Sequence, residues 1–426
     1  VRALIFERNL ARFGASRVAS FLAGSGRGVK AGPLRLADIA EPSLPGPDWQ
    51  TLTVSLSGIC GSDLATLDGR SSRYFEEIVS FPFVPGHEIV ATDGSGRRVV
   101  VEPVLGCATR HVEPLCQSCA HGDTGCCTSL DWGALAPGLQ TGYCADTGGG
   151  WGQRLVAHRS QIHQIPDQLS QDDALMVEPA ACGVHAAFRS RPDDSHVVAV
   201  LGSGTLGLAT LASLRRWFSP KTLIATAKYP VQRRWAKELG ADLVVEPDEI
   251  LRAVRRATGT RAVVPARYAP VRTAKGPGKD IRFGAPERIG PDAKASPKRL
   301  AGGADVVVDC VGSSDSLATA LSIVRPRGRV VMVGMPGSVR VDLAPLWQRE
   351  VSLVGAYAYG SERADGKYPE APTRTFELAI SLAGELALGR LVSALYPLER
   401  FAEAIAHAAE AGRRGAVKVA FDLARR

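Results

Sequence analysis

The hydrophobic pattern of the chain changes character near residue 188. Before that point, short apolar runs at 52–56, 89–91, 98–101 and 153–158 are cut by Gly, Pro and Asp turns. No sustained helical period accompanies them, which predicts mostly antiparallel β-structure over the first part. After it, short apolar runs recur at Val197–Leu201, Thr222–Thr226, Leu243–Val245, 305–310, 329–334 and 351–357. Stretches with helical spacing at 206–217, 232–239 and 314–324 separate several of them. That alternation predicts a doubly wound parallel sheet with helices on both faces. The last segment reads as helix, strand, helix, strand over 374–387, 392–397, 398–411 and 416–421. The expected fold class is α/β: a mostly β domain joined to a doubly wound parallel-sheet domain.

Two stretches fall outside this scheme. Residues 9–32 carry extra Gly, Ser and Arg and read as an insertion. Residues 261–300 break the strand–helix alternation, with nine Lys/Arg against three acids between 266 and 299. They read as an inserted, exposed basic loop, either a solvated excursion or a lid or subunit contact.

At 426 residues the chain is too long for one ordinary core, so two domains are expected. A hydrophobic share of 45% and a charged share of 22% are those of a globular protein. No apolar run reaches the ~20 residues of a membrane helix, and no signal-peptide pattern is visible. A cytoplasmic protein with no membrane partner is the expectation. The net charge of +8 favours anionic ligands such as a phosphorylated cofactor. No helix-turn-helix, RNA-binding aromatic pair or zinc-finger ending is visible, so no nucleic-acid partner is expected.

The chemistry resides in three motifs. Cys60-Gly61-Ser62-Asp63 and Gly86-His87-Glu88 supply a thiolate, an imidazole and carboxylates, a donor set that zinc prefers. Gly202-Ser203-Gly204-Thr205-Leu206-Gly207 follows the run Val197–Leu201 and opens a helical stretch. There Gly202 permits the tight turn, Gly204 lets the backbone approach a pyrophosphate, and Gly207 lets helix and strand pack closely. A metal and a nicotinamide together imply hydride transfer at a polarised carbonyl or alcohol. The acid that NAD enzymes usually place after the second strand is Ala227 here. Lys228, Arg233 and Arg234 instead offer positive charge for a 2′-phosphate, so NADP(H) is favoured over NAD(H). A solvated helix start is the other reading of these cations. Of nine cysteines, five crowd between 107 and 127, which points to metal binding rather than disulfides.

On these motifs, together with Glu178-Pro179-Ala180-Ala181-Cys182-Gly183-Val184-His185 and the stretches 305–312 and 328–334, the chain resembles the zinc-dependent medium-chain dehydrogenase/reductase family. It is most similar to the polyol, threonine and glucose dehydrogenase branch, over nearly everything except 9–32 and 261–300. The resemblance implies a GroES-like catalytic domain over 1–187, a Rossmann dinucleotide-binding domain over 188–358, and a return to the first domain over 359–426. It implies a catalytic zinc on Cys60, His87 and Glu178, with Cys182 as the alternative to Glu178. Glu88 either ligates or acts from behind the ligands, and Asp63 orients one of them. His185 is expected to pack near the domain hinge. Ser62 matches the hydroxyl that passes the substrate's proton toward solvent. The histidine that the family often places two residues after the Asp is Ala65 here, so the relay must end differently.

Cys107, Cys116, Cys119 and Cys127 fit a structural zinc lobe whose first gap has lengthened, with Cys126 and His111 as possible substitutes. The family usually forms dimers or tetramers, so a homodimer or homotetramer is expected, with 351–357 as the candidate contact. The implied activity is that of a zinc-dependent alcohol dehydrogenase or carbonyl reductase acting on a small polar alcohol, a polyol or its carbonyl counterpart. Two competitors remain: a conjugated-alkene reductase on the same fold, and a non-catalytic nucleotide- or nucleic-acid-binding protein. Trp132, Trp151 and Tyr357 are candidates for lining the cleft or for packing.

Overall fold

The computed structural model describes residues 1–263, 299–363 and 371–424. Six parallel strands form one sheet in the spatial order Leu243–Val245, Thr222–Thr226, Val197–Leu201, Ala304–Asp309, Val324–Met332, Ser352–Gly355. Numbered along the chain this is 3-2-1-4-5-6, so the connections reverse direction between the first and fourth strands. All five residues of Val197–Leu201 are buried, as befits a central strand covered on both faces. The helices Thr205–Trp217, Pro230–Glu238 and Ser314–Ile323 fill the connections where the pattern places them.

The second sheet runs Val392–Tyr396, Lys418–Asp422, Trp49–Gly58, Ile89–Thr92, Arg98–Val101, Ile162–Gln164, with Arg154–His158 also on Trp49–Gly58. Val392–Tyr396 and Lys418–Asp422 pair in parallel, while the other pairs are antiparallel. Chain from both ends of the sequence therefore builds this sheet. The buried helix Val177–Ser190 packs against Thr205–Trp217 and Thr375–Glu385. A Cβ on Gly183 would lie 2.5 Å from the Ala209 carbonyl carbon, so only glycine allows the first two of these helices to approach this closely.

The expectation for the first part needs two corrections, the first being that the long helix Val177–Ser190 lies mostly before residue 188. Residues 9–32 contain a full helix, Leu10–Ala23, capped by Asn9 accepting from Arg12 N at 3.0 Å. Its inward side is mostly polar: Ser16 is buried and Ser20 half-buried beside the single ring of Phe13, whereas Leu10, Val18, Phe21 and Leu22 are exposed. A pattern search that assigns apolar positions to the core misses such a helix. The excursion is anchored through Asp68, which accepts from Ser20 Oγ at 2.7 Å, Ser25 Oγ at 2.5 Å and Gly26 N at 2.9 Å. Ser16 Oγ donates to the Leu67 carbonyl at 2.7 Å.

The ends of the basic stretch are joined, because Ala262–Val263 pairs antiparallel with Arg299–Leu300. Its interior, and with it the assignment of lid or subunit contact, lies outside the described residues. Among the described residues no helix is long and apolar enough to cross a membrane.

Candidate metal and nucleotide site

Cys60 ends the turn after strand Trp49–Gly58 and forms the N-cap of helix Gly61–Leu67. Its sulfur thus sits at the positive end of the helix dipole. Asp63 closes the cap by accepting from Cys60 N at 2.9 Å. His87 and Glu88 immediately precede strand Ile89–Thr92, which pairs with Trp49–Gly58 and so brings the two motifs together. Ligand atoms of Cys60, His87 and Glu88 all lie within 4.8 Å of one another.

His87 is buried, with Nδ1 3.5 Å from Asp63 Oδ1 and without a hydrogen bond among the described residues. Burial pulls its pKa down, but the negative charge of Asp63, with Cys60 alongside, outweighs that and holds it well above the usual value. The Tyr143 ring lies 6.0 Å from the imidazole, and its hydroxyl donates to Asp63 Oδ1 at 3.3 Å.

Glu88 is not free. Lys418 Nζ donates to both of its carboxylate oxygens, at 2.6 and 2.7 Å, and the two side chains are each 2% exposed. Burial pulls the Lys418 pKa down, yet the adjacent Glu88 charge raises it overall. Lys418 was not singled out in the sequence. It lies on the last strand, and only the return of that strand to the first sheet exposes its role.

Glu178 stands in the first turn of helix Val177–Ser190, beside the trio rather than within it. Tyr359 OH donates to its Oε1 at 3.0 Å, and Cys182 Sγ lies 3.7 Å from the same oxygen. Burial pushes Glu178 up to about 7, with the His87 charge opposing and the Glu88 charge adding. Burial also raises the Cys182 thiol well above the ordinary thiol range. Ser62 is half-buried in the same helix as Asp63, and its carbonyl accepts from Thr66 Oγ1 at 3.0 Å. His185 points elsewhere: its Nδ1 lies 2.8 Å from Glu362 Oε1, and Thr375 Oγ1 donates to that oxygen at 2.9 Å.

Of the aromatic candidates, Trp151 is packing: it is fully buried, stacks edge-on against Phe421, and donates from Nε1 to the Gly58 carbonyl at 3.1 Å. Trp132 is exposed. Tyr357 is exposed and lies within the electrostatic reach of His87, Cys182 and Glu178.

The cysteine lobe is compact. Sγ atoms of Cys107, Cys116, Cys119 and Cys127 lie within 4.8 Å of one another, with Cys107–Cys127 at 3.6 Å and Cys116–Cys127 at 4.0 Å. Tetrahedral Zn–S bonds of ~2.3 Å place sulfurs ~3.8 Å apart. Backbone N–H groups of Cys116, Cys119 and Ser129 donate to Cys107, Cys116 and Cys127 at 3.4, 3.5 and 3.3 Å. Donation from Cys119 lowers Cys127 to about 5. No cysteine is in a disulfide. Cys126 is exposed and His111 packs toward His158, so neither belongs to this group.

At the nucleotide turn Gly202 has φ +89° and donates from N to Thr226 Oγ1 at 2.8 Å. A Cβ on Gly207 would lie 1.8 Å from the Gly202 carbonyl oxygen, and one on Gly204 would meet nothing within 4 Å. The first close approach shapes the turn, and the open space at Gly204 leaves room for a phosphate at the helix start. Among the three cations, Lys228 is exposed at the end of its strand, near the Tyr229 ring. Arg233 pairs with Glu246 at 2.6 Å, and Arg234 stacks over Trp235 at 5.1 Å.

The two halves meet at the last strand. Thr205 Oγ1, at the nucleotide turn, donates to the Val417 carbonyl at 3.5 Å, one residue from Lys418.

Comparison with known proteins gives the family. Residues 46–167 match the alcohol dehydrogenase GroES-like domain and residues 281–371 the zinc-binding dehydrogenase domain. Sorbitol dehydrogenase of Arabidopsis thaliana is 27% identical over 337 residues, covering 76% of this chain and 78% of its own length. D-xylulose reductase A of Aspergillus oryzae is 25% identical over 393 residues, covering 89% and 91%. Among solved structures, galactitol-1-phosphate dehydrogenase from Escherichia coli superposes with a TM-score of 0.66 at 19% identity, over 99% of this chain and 100% of that one. A putative zinc-binding dehydrogenase from Sinorhizobium meliloti bound to NADP gives 0.62 at 23% identity, over 91% and 95%. The chain belongs to the zinc-dependent medium-chain dehydrogenase/reductase family, a family of oxidoreductases.

Proposed function

We propose that this dehydrogenase interconverts a small polar alcohol or polyol and its carbonyl counterpart, with NADP(H) as hydride carrier, at a zinc held by Cys60, His87 and Glu178. The observation that carries the reading is the junction itself. The Cys60–His87–Glu88 trio is tied through Lys418 to the strand that touches the nucleotide turn at Thr205. The donor set fits the metal: a thiolate, an imidazole and a nearby carboxylate match a three-ligand catalytic zinc with one open position. When bound there, zinc polarises the substrate oxygen. The protein's own residues do the rest. Asp63 orients His87 and Tyr359 orients Glu178, while Ser62 takes up the substrate's proton. Lys418 neutralises Glu88, which leaves Glu178 as the carboxylate able to turn to the metal.

The substrate class follows from the polyol dehydrogenases among the relatives. Lys228 supports the 2′-phosphate preference, since Ala227 leaves the ribose site without an acid. A second, structural zinc on Cys107, Cys116, Cys119 and Cys127 belongs to the same proposal. So do the domain division at 187/188 and 358/359, a cytoplasmic location, and a homodimer or homotetramer through the edge strand Ser352–Gly355. The test is zinc analysis followed by turnover of polyols and their carbonyl counterparts with each cofactor. NADP-linked oxidation, lost with one zinc in Cys60→Ala, is the expected result. A tenfold or greater preference for NAD overturns the cofactor assignment, and reduction of conjugated alkenes without alcohol oxidation overturns the reaction.

A further inference from the structure

The helix Leu10–Ala23 presents its apolar residues outward. Leu10 is 80% exposed, Phe21 88%, Leu22 77% and Val18 59%. At 100° per residue these four, with Ala11, Gly14 and Ala15, form one continuous arc. Arg17 borders that arc on one side and Arg12 on the other, next to the inward side formed by Phe13, Ser16 and Ser20. The arc does not result from a loosely placed segment, because Asp68 and the Leu67 carbonyl hold the polar side of the excursion in place.

Charge identifies the occupant. From residue 8 to residue 37 there are six cations (Arg8, Arg12, Arg17, Arg27, Lys30, Arg35) and no acid. Arg27 and Arg35 pair with Glu410 and Glu7, whereas Arg8, Arg12 and Arg17 form no salt bridge among the described residues. We propose that this helix adsorbs the enzyme to an anionic phospholipid surface, with Phe21, Leu22, Leu10 and Val18 entering the headgroup boundary and the arginines contacting lipid phosphates. The expectation of no membrane partner rested on the lack of a spanning segment, and adsorption of a surface helix needs none.

A second copy of the chain fits less well. A two-fold contact through this face would set the same arginines against each other. The apolar ribbon is ~20 Å long and one helix face wide, well short of the ~800 Å² per partner of a stable interface.

The experiment is co-sedimentation of the zinc-loaded full chain with vesicles of phosphatidylglycerol and phosphatidylcholine, or of phosphatidylcholine alone, at low and high salt. Phe21→Asp is compared in parallel, with circular dichroism and melting temperature to show that it folds. Arg12→Glu with Arg17→Glu provides a second variant. Binding to the anionic vesicles alone, weakened at least tenfold by Phe21→Asp, by the arginine variant and by salt, is expected. Absence of binding to the anionic vesicles overturns the proposal. Binding that Phe21→Asp leaves unchanged also overturns it, since another basic surface is then responsible. Concentration-dependent self-association abolished by Phe21→Asp, without vesicle binding, assigns the face to a second copy instead.

Discussion

At the scale of single residues, burial and pairing decide which acids are available to a metal. Glu88 and Lys418 form a buried pair, so removing one partner strands the other. Lys418→Met is expected to cost about 3–5 kcal/mol in denaturant unfolding, and adding Glu88→Gln to recover most of it. Glu178 gives a pH signature. In metal-free protein its carboxyl is raised by burial to about 7. Its contribution to stability is therefore fully present below the ordinary carboxylate range and is lost as pH rises through about 7. His87, also raised, acts in the same direction. Chelator-treated protein should lose melting temperature between pH 5 and 8, and Glu178→Gln should flatten that slope without abolishing it. Parallel slopes in the two proteins would contradict the assignment of the raised group to Glu178.

At the scale of elements, a strand–turn–helix and a loop of cysteines each form a local device. Gly207 packs against the Gly202 carbonyl, so Gly207→Ala must push the helix from the strand. A loss of NADPH affinity of tenfold or more, read by cofactor fluorescence, is expected, together with about 1–3 kcal/mol of destabilisation. Lys228→Ala tests the phosphate contact alone. It should weaken NADPH binding about tenfold, the ~1.4 kcal/mol of one charge-assisted contact, and leave NADH binding unchanged. Equal losses for both cofactors would make Lys228 a general surface charge.

At the scale of the whole molecule, two metal sites with separate roles are expected. The cysteine lobe belongs to loops of the first half, while Glu88, beside Cys60 and His87, is held by Lys418 on the closing strand Lys418–Asp422. Cys116→Ser with Cys119→Ser should lower zinc content from two per chain to one and reduce thermal stability, because a structural site contributes folding energy directly. Cys60→Ala should remove the other zinc and turnover while leaving the melting temperature less affected. Loss of both zincs in either variant would argue against two independent sites.

The sequence by itself determined the elements and the motifs. Strand Thr222–Thr226, helix Thr205–Trp217 and the alternation through Ser352–Gly355 were readable because local apolar periodicity is what buried strands and helices require. Cys60, His87 and the glycine turn were visible because each motif is contiguous in the chain. The helix Leu10–Ala23 was not visible, because its polar side faces inward and inverts the signal. Lys418, Tyr359 and Tyr143 were not visible either, since each reaches the site from a distant segment and none belongs to a local motif. Only the tertiary structure decided that Glu88 is paired with a lysine and that Glu178 lies beside the trio. Those facts depend on which strand closes the first sheet and on how far each carboxylate is removed from water.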